Sequence, residues 1–535
     1  MPENTATIGF EKQIWDAACI LRGNLDASEY KHVVLGLIFL KYLSDRFEAR
    51  HDELVKEGEG FEEDPDAYTE ENVFFVPQEA RWERVADAAH TPEIGKVIDG
   101  AMLAIEKENP RLKGILPKTF ARPELDKRRL GDVVDLFTNI RMKEHGDTRD
   151  ILGRTYEYCL SMFAEQEGKK GGEFFTPACV VKTLVEILKP FQGRVYDPCC
   201  GSGGMFVQSA RVVERQNQNP SEKLTFYGME KNATTIRLAK MNLAVHGLEG
   251  DIRKAITYYE DPHELIGKAD FVMANPPFNV DEIDADKIKS DPRLPFGLPS
   301  VNDKGKVSNG NYVWISYFYS YLNETGRAGF VMAAGAESAG RGDALVRQKL
   351  IETGDVDVMV SIRSNFFYTR TVPCVLWFLN RAKKTKEQKD RVLMIDARNV
   401  YRKVTRKIND FSPEQEQNLL AIVWLYRGET KRYKELLAYY RKNGEDEAAA
   451  WLEERFPDGK YRNVEGLVKA VTREEIAAND WSLTPGRYVG VAETDDNDED
   501  FAEKFASLHE ELRKLNAEAA TLAKKIDANF KELMG

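Results

Sequence analysis

The sequence predicts an α/β protein built on a doubly wound sheet, and three observations predict it. Between residues 178 and 379, short apolar runs alternate with amphipathic helical stretches, the pattern of strands joined by helical crossovers. One run, 194–197, opens into a glycine-rich turn, Pro198-Cys199-Cys200-Gly201-Ser202-Gly203-Gly204, before a helix resumes. Another, 271–274, stops abruptly at Asn275-Pro276-Pro277-Phe278. A helical N-terminal region precedes this core, and a helical, coiled-coil-like tail follows it.

In chain order, residues 10–48 read as helical. Ile14, Ala17, Ala18 and Leu21, then Val33, Val34, Leu37, Leu40 and Tyr42, recur at helical spacing around a turn at 22–26. Asp26 or Ser28 is placed to cap the second helix. Residues 49–80 are acidic, contain Gly and Pro, and read as loop. Helices are expected again over 95–107 and 130–163. Glu167 to Gly172 is a basic, glycine-containing loop, followed by Glu173-Phe174-Phe175-Thr176-Pro177-Ala178 and a helix over 178–188. Thr176 is expected as its N-cap, with Pro177 at the first helical position.

Further strands are expected over 224–229, 251–256 and 270–274, with a helix over 232–246 that Gly247 ends. The stretch 281–311, rich in charge, Gly and Pro, reads as a long loop of the kind that is usually functional. Beyond it come a helix over 312–323, a strand over 329–334, a helix over 344–352, and strands over 356–362 and 372–379. The last two are close enough to form an antiparallel edge pair. After Asn380 the composition turns polar and helical, with a turn-rich knot from Trp481 to Tyr488. Phe505, Leu508, Leu512, Leu515, Ala519, Leu522 and Ile526 step by three and four, a seam of about three heptads that suits a partner helix. The expected division is therefore 1–150 (helical), 151–400 (catalytic), 401–490 (helical extension) and 491–535 (acidic linker and tail helix).

Bulk properties narrow the function. The 535 residues exceed one typical domain, and 31% charged with 42% hydrophobic residues is ordinary for a globular protein. The longest apolar stretch, 33–43, is interrupted by Gly36 and Lys41, so no membrane span is expected. The first residues lack a basic region followed by an apolar core, as a secretory signal would have. The six cysteines form no C-x-x-C pair and read as reduced thiols in a cytoplasmic protein. Seven histidines without H-E-x-x-H spacing give no metal site. A net charge of −12 argues against strong solitary binding to nucleic acid, which needs clustered Lys and Arg. It leaves room for a subunit that works on DNA held by a more basic partner.

Two stretches carry chemistry. Strand, glycine turn and helix at 194–206 make a nucleotide-type pocket, because glycine lets the backbone approach a ligand without a Cβ clash. The spacing is neither G-x-G-x-x-G nor a phosphate-binding P-loop. Glu230, at the end of the next strand, is placed for two ribose hydroxyls; it lies 33 residues after Asp197, and the polar stretch 216–222 absorbs the excess over the usual spacing of about 20. At 275–278 the prolines forbid further pairing and an immediate helix, so Asn275 is held at the tip of a stiff turn. An amide, a rigid carbonyl and an aromatic ring together can grip a planar amine.

Glu173-to-Pro177 (EFFTP), DPCCGSGG from Asp197 to Gly204, and NPPF from Asn275, in that order on strand–loop–helix supports, resemble the amino-methylating DNA methyltransferases, specifically the N6-adenine group. Leu21-Arg22-Gly23, Tyr30, Phe39-Leu40-Lys41 and the knot 481–488 extend the similarity to the methylation subunit of type I restriction–modification systems. The resemblance implies a Rossmann-like methyltransferase core using S-adenosylmethionine. Glu173, Phe174, Phe175, Thr176, Pro177, Ala178, Gly201, Ser202, Gly203 and Gly204 would line the cofactor pocket, with Asp197 placing the turn and Glu230 holding the ribose. Asn275, Pro276, Pro277 and Phe278 would form the catalytic element. A residue near Ile256 or Thr257 would approach the cofactor adenine.

The same resemblance implies a DNA-specificity subunit, duplex DNA with a flipped adenine and a second copy of the chain as partners, in a bacterial or archaeal cytoplasm. A restriction (translocase/nuclease) subunit is a further partner that the family admits. Cytosine N4 methylation follows the same amino logic, usually with Ser in place of Asn275. Protein-glutamine and RNA methyltransferases also carry NPP-type motifs, without the long helical N-terminus and tail. A non-catalytic scaffold would not need the whole NPPF set. Cytosine C5 methylation needs a thiol after the fourth strand, where NPPF stands instead.

Overall fold

The computed structural model describes residues 27–139 except 70 and 72, then 155–163, 176–367, 372–405 and 408–491, with isolated positions 15, 19, 21, 509, 513, 516, 519 and 522. It divides into two units, 1–489 and 490–535.

The N-terminal part of the first unit is helical. Helix α1 (Ala27–Glu57) buries Val33, Val34, Leu35, Leu37, Ile38, Phe39 and Leu40 on all sides, as a helix inside a core does. Gly36 is required where it packs: a Cβ there would sit 2.5 Å from Pro117. α1 runs nine residues past the expected end at residue 48, because Leu54 still reaches the core. The expected loop at 49–80 instead holds the end of α1, a short helix at Asp66–Thr69 and a 3₁₀ turn at Gln78–Ala80. Helices α2 (Ile94–Glu108) and α3 (Lys127–Asn139) complete this layer. The turn at 22–26, with Asp26, and the basic loop at 167–172 lie outside the described residues; Ser28 falls inside the first turn of α1, past its cap position.

The core follows as α4 (Ala178–Leu188), β1 (Gly193–Asp197), α5 (Gly204–Glu214), β2 (Leu224–Glu230), α6 (Ala233–Val245), β3 (Gly250–Lys254), β4 (Ala269–Ala274), α7 (Asn311–Tyr321), β5 (Leu322–Ala333), α8 (Gly342–Glu352), β6 (Val356–Ile362), β7 (Cys374–Asn380) and β8 (Arg391–Asp396). Asn232 caps α6, its side chain accepting from the Thr234 amide. Leu238, Met241, Ala244 and Val245 of α6 join the N-terminal hydrophobic cluster and so bind the helical layer to the sheet.

Helices α9 (Pro413–Tyr426), α10 (Thr430–Asn443) and α11 (Asp446–Arg455) precede a last strand, β9 (Val468–Thr472). Among the described residues the main sheet has nine strands in the order β9-β8-β6-β7-β5-β4-β1-β2-β3. Strand β7 is antiparallel to both β5 and β6, whereas β8 runs parallel to β6. The strands expected at 356–362 and 372–379 do pair antiparallel, but in the interior of the sheet. Strands β8 and β9, not anticipated in the polar region after Asn380, extend it further. The stretch 401–490 is thus mainly helical yet contributes an edge strand. Arg427 at the end of α9 ties it down, donating to Asp357 of β6 at 2.9 Å and to the Ile187 carbonyl at 2.8 Å.

In the second unit the described positions His509, Arg513, Asn516, Ala519 and Leu522 are helical and exposed. Leu522, on the apolar seam, is 60% exposed.

Candidate active site

Three neighbouring parallel strands deliver the predicted motifs to one edge. Tyr196 of β1 pairs with Val272 of β4, and Asp197 pairs with Gly228 of β2. The ends of β4, β1 and β2 therefore lie side by side. The chain leaves β1 toward β2 and β3 on one flank and returns through β4 on the other, the switch point where open α/β sheets bind ligands.

The loop after β1 is shaped by backbone. The Cys200 amide donates to the Met229 carbonyl at 3.0 Å and the Gly203 amide to the Cys200 carbonyl at 2.8 Å. Gly201 (φ +51°) and Gly203 (φ +78°) occupy the left-handed region that favours glycine. A Cβ added at Gly201 or Gly204 would meet nothing within 4 Å, so this face is open. Asp197 is buried beneath the loop and accepts the Cys199 amide at 3.0 Å. Burial pushes its carboxyl up to about 7.

Asn242 on α6 was not anticipated: fully buried, it donates to the Ser202 carbonyl at 2.9 Å. Its only sequence signal is an amide on the inward face of a helix. Glu230 ends β2, and its carboxylate accepts the Asn232 amide at 3.0 Å. Of the two candidates beyond β3, Thr257 is buried and donates to the Pro198 carbonyl at 2.6 Å, while Ile256 is half exposed. The Cys199 and Cys200 thiols are pushed up by burial, which keeps them protonated and poor nucleophiles.

The tip of β4 is held by side chains. Asn275 is 9% exposed, and its Nδ2 donates to the Thr176 hydroxyl at 2.9 Å. Its Oδ1 is buried without a hydrogen-bond partner. The expectation that Thr176 caps α4 is corrected here. Pro177 stands at the cap position without a side-chain bond, and Thr176 turns to Asn275 instead. Pro276 and Phe278 are buried and Pro277 is half-buried.

Asn279 follows at φ +57°, its amide donating to Asn311 Oδ1 at 2.9 Å. Its own Oδ1 accepts from Asn309 and Asn311, at 2.9 and 3.0 Å. This trio of asparagines pins the tip to the start of α7. Glu173, Phe174 and Phe175 lie outside the described residues.

The long loop before α7 is tied back to the turn after β3 by Arg293, only 2% exposed. It donates to Asp291, to the carbonyls of Thr257 and Glu260 and to the Tyr321 hydroxyl, and its guanidinium lies 4.0 Å from the Tyr317 ring centroid. Burial would lower its pKa, but the bonds to Asp291 and the neighbouring tyrosines outweigh that and keep it charged. Among the described residues no group of His, Cys, Asp or Glu could hold a metal ion, and no helix is long and apolar enough to cross a membrane.

Comparison with known proteins bears on both halves of the chain. Residues 147–497 match the family model described as N-6 DNA Methylase, and residues 10–137 match that of the HsdM N-terminal domain. The type I restriction enzyme MjaIX methylase subunit of Methanocaldococcus jannaschii is 37% identical over 97% of this chain and 90% of its own length. The HindI methylase subunit of Haemophilus influenzae is 34% identical, over 85% of this chain and 99% of its own. Among solved structures, a type I restriction–modification methyltransferase subunit from Streptococcus thermophilus superposes with a TM-score of 0.71 at 22% identity, covering 90% of this chain and 99% of that one. A modification subunit of a putative type I restriction enzyme from Vibrio vulnificus gives 0.56 at 19% identity, with coverages of 89% and 94%. These two likenesses show the fold.

Proposed function

The chain belongs to the N-6 DNA methylase family, among the methylase subunits of type I restriction enzymes, and from that premise we propose how its residues divide the work. It is an adenine-specific DNA methyltransferase. The observation that carries the assignment of roles is the buried, unpaired Oδ1 of Asn275 beside an open glycine loop.

The residues present fit S-adenosylmethionine. The open face at Gly201 and Gly204 is a cradle that side chains would fill, Ser202 is held by Asn242, and Glu230 lies on the flank where a ribose would sit. Thr176, Pro177 and Ala178, with Glu173, Phe174 and Phe175 before them in the same motif, are the other proposed cofactor-binding residues. Once bound, the cofactor supplies an electrophilic methyl group on sulfonium sulfur.

The amino nitrogen of adenine is a weak nucleophile because its lone pair is delocalised into the ring. Asn275 Oδ1 and the Pro276 carbonyl each accept one amino N–H. Those bonds favour a pyramidal nitrogen with a localised lone pair. They strengthen as positive charge grows on nitrogen, so they stabilise the transition state more than the ground state. Pro277 keeps the tip rigid, and Phe278 forms the aromatic wall for a base flipped out of the duplex.

Site choice on DNA falls to a separate specificity subunit. The net charge of −12 makes an unaided grip on the duplex weak, and one structure with this fold comes from a study of complex assembly in a type I restriction–modification system. A second copy of the chain and a restriction subunit complete the proposed assembly, in the cytoplasm. The division at residues 150, 400 and 490 stands as the proposed domain plan, with the 491–535 tail seam as the partner contact. The test is transfer of tritiated methyl to duplex DNA by the full chain with its specificity subunit, followed by nucleoside analysis. Label in N6-methyladenine is expected; label in N4-methylcytosine or in protein would overturn the reading. Removal of 501–535 is expected to release the specificity subunit, and a complex that survives it means the seam serves another purpose.

A further inference from the structure

Resting on that reading of Asn275, we infer that Thr176 is a positioning residue for the chemical step: its hydroxyl fixes the Asn275 amide with the oxygen toward the target base. Two independent features point to it. The first is the Nδ2-to-Oγ1 bond of 2.9 Å, which joins residues 99 positions apart. The second is that the other end of the same amide, Oδ1, is buried with no partner. Most buried acceptors are paired, and one left open at the tip of β4, beside the glycine loop, is free to take a donor from a bound base.

An amide presents a donor at one end and an acceptor at the other. Turned by 180°, Asn275 would offer N–H to the base, and an adenine amino group facing it would find a donor where it needs an acceptor. A hydroxyl can also donate, so Thr176 selects the productive orientation by committing its own proton away from Asn275, and it then faces Nδ2 as an acceptor only. That proton is left for a second acceptor on the cofactor side.

The backbone makes the pairing stiff. Thr176 precedes Pro177 and Asn275 precedes Pro276, and the residue before proline is confined to extended conformations. Neither side chain can swing away by a local backbone change. Thr176 in the EFFTP segment thus serves the base side as well as the wall of the cofactor pocket, linking the two half-sites through one bond.

The experiment compares Thr176→Val, which keeps the shape and removes the hydroxyl, with Thr176→Ala, Thr176→Ser and Asn275→Ala. Each is assayed as full chain with specificity subunit, measuring kcat and the KM for S-adenosylmethionine. Thr176→Val is expected to lower kcat by roughly 100-fold, the lower end for loss of one oriented transition-state contact, with the cofactor KM within about threefold. Thr176→Ser restores kcat to within about fivefold, which a purely steric role would not require.

Full kcat in Thr176→Val overturns the inference, as does a loss confined to the cofactor KM, which would make Thr176 a cofactor ligand alone. If Thr176→Val does not fold, the difference in kcat between Thr176→Ala and Thr176→Ser decides on the same terms. Full transfer by Asn275→Ala would instead strike the proposed role of Asn275. An inactive Asn275→Ala beside a fully active Thr176→Val strikes only Thr176.

Discussion

The ends of β1 and β4 are neighbours on one sheet edge, yet they are built in opposite ways. The β1 loop is held by backbone hydrogen bonds, and its functional surface is where side chains are missing: a Cβ at Gly201 or Gly204 meets open space. The β4 tip is held by side chains, Asn275 by Thr176 and Asn279 by Asn311, and it presents the unpaired side-chain oxygen of Asn275. A surface made by absence suits a large ligand gripped by shape. An oriented, unpaired polar atom suits a small group whose charge changes during reaction. On the proposed roles the two ends separate binding from chemistry, and mutations should respect that separation.

The largest effect is expected at the β4 tip. Asn275→Ala should lower methyl transfer by at least about 100-fold, the scale of losing one preorganised polar contact, while equilibrium binding of S-adenosylmethionine stays within a few-fold. Loss of both together would show that the tips are not separable. The converse variant is Gly204→Val. Gly204 has ordinary helical geometry and free space around it, so the chain should fold with its melting midpoint almost unchanged. Cofactor affinity should fall by roughly 10- to 100-fold, the equivalent of an overpacking cost of about 1–3 kcal/mol. Unaltered affinity in calorimetry would place the cofactor elsewhere.

A smaller effect tests how the β4 tip is anchored. Asn311→Ala removes the acceptor for the Asn279 amide and one donor to the Asn279 side chain. Loss of about 1 kcal/mol of anchoring corresponds to roughly a fivefold loss in rate. It should appear in kcat and leave the cofactor KM alone. A change in KM only would mean that the asparagine trio supports the cofactor wall.

The same contrast explains what was legible in the sequence. The β1 loop could be read because glycines and a following helix are local signals, and the structure adds the distant contacts from Met229, Asn242 and Thr257. The prolines of the β4 tip gave its shape, but its hydrogen bonds come from Thr176, 99 positions from Asn275, and from Asn309 and Asn311, 30 and 32 positions from Asn279. No local pattern marks such partners. Thr176 before Pro177 satisfies the rule for an N-cap, and tertiary contact overrides it. Strands β8 and β9 were missed for a related reason. Arg391–Asp396 and Val468–Thr472 are short apolar runs in polar surroundings, and each becomes a strand because the sheet edge of β6 and then of β8 accepts it. Arg293 was hidden because a buried cation inside a charged loop looks the same in sequence as an exposed one.

The smallest expected effect concerns pH, and it too falls on one side. The tip Asn275-Pro276-Pro277-Phe278 carries no titratable side chain, whereas Asp197 under the β1 loop is held by burial at about 7, above its ordinary 3.8. A raised folded-state value means that the folded chain keeps a proton which the unfolded chain releases. Stability from this group is therefore full below about 3.8 and falls as pH rises toward 7. Buried Glu337 and Glu416, raised to about 8 and about 7, act with the same sign. The melting midpoint of the free chain should consequently fall between pH 5.5 and pH 8. Asp197→Asn, which can still accept the Cys199 amide through its side-chain oxygen, should lessen that fall by roughly 1–2 °C, with the remainder left to the two glutamates. An unchanged slope in Asp197→Asn would mean that Asp197 is already ionised in the fold, and the charge beneath the cofactor loop would then be permanent.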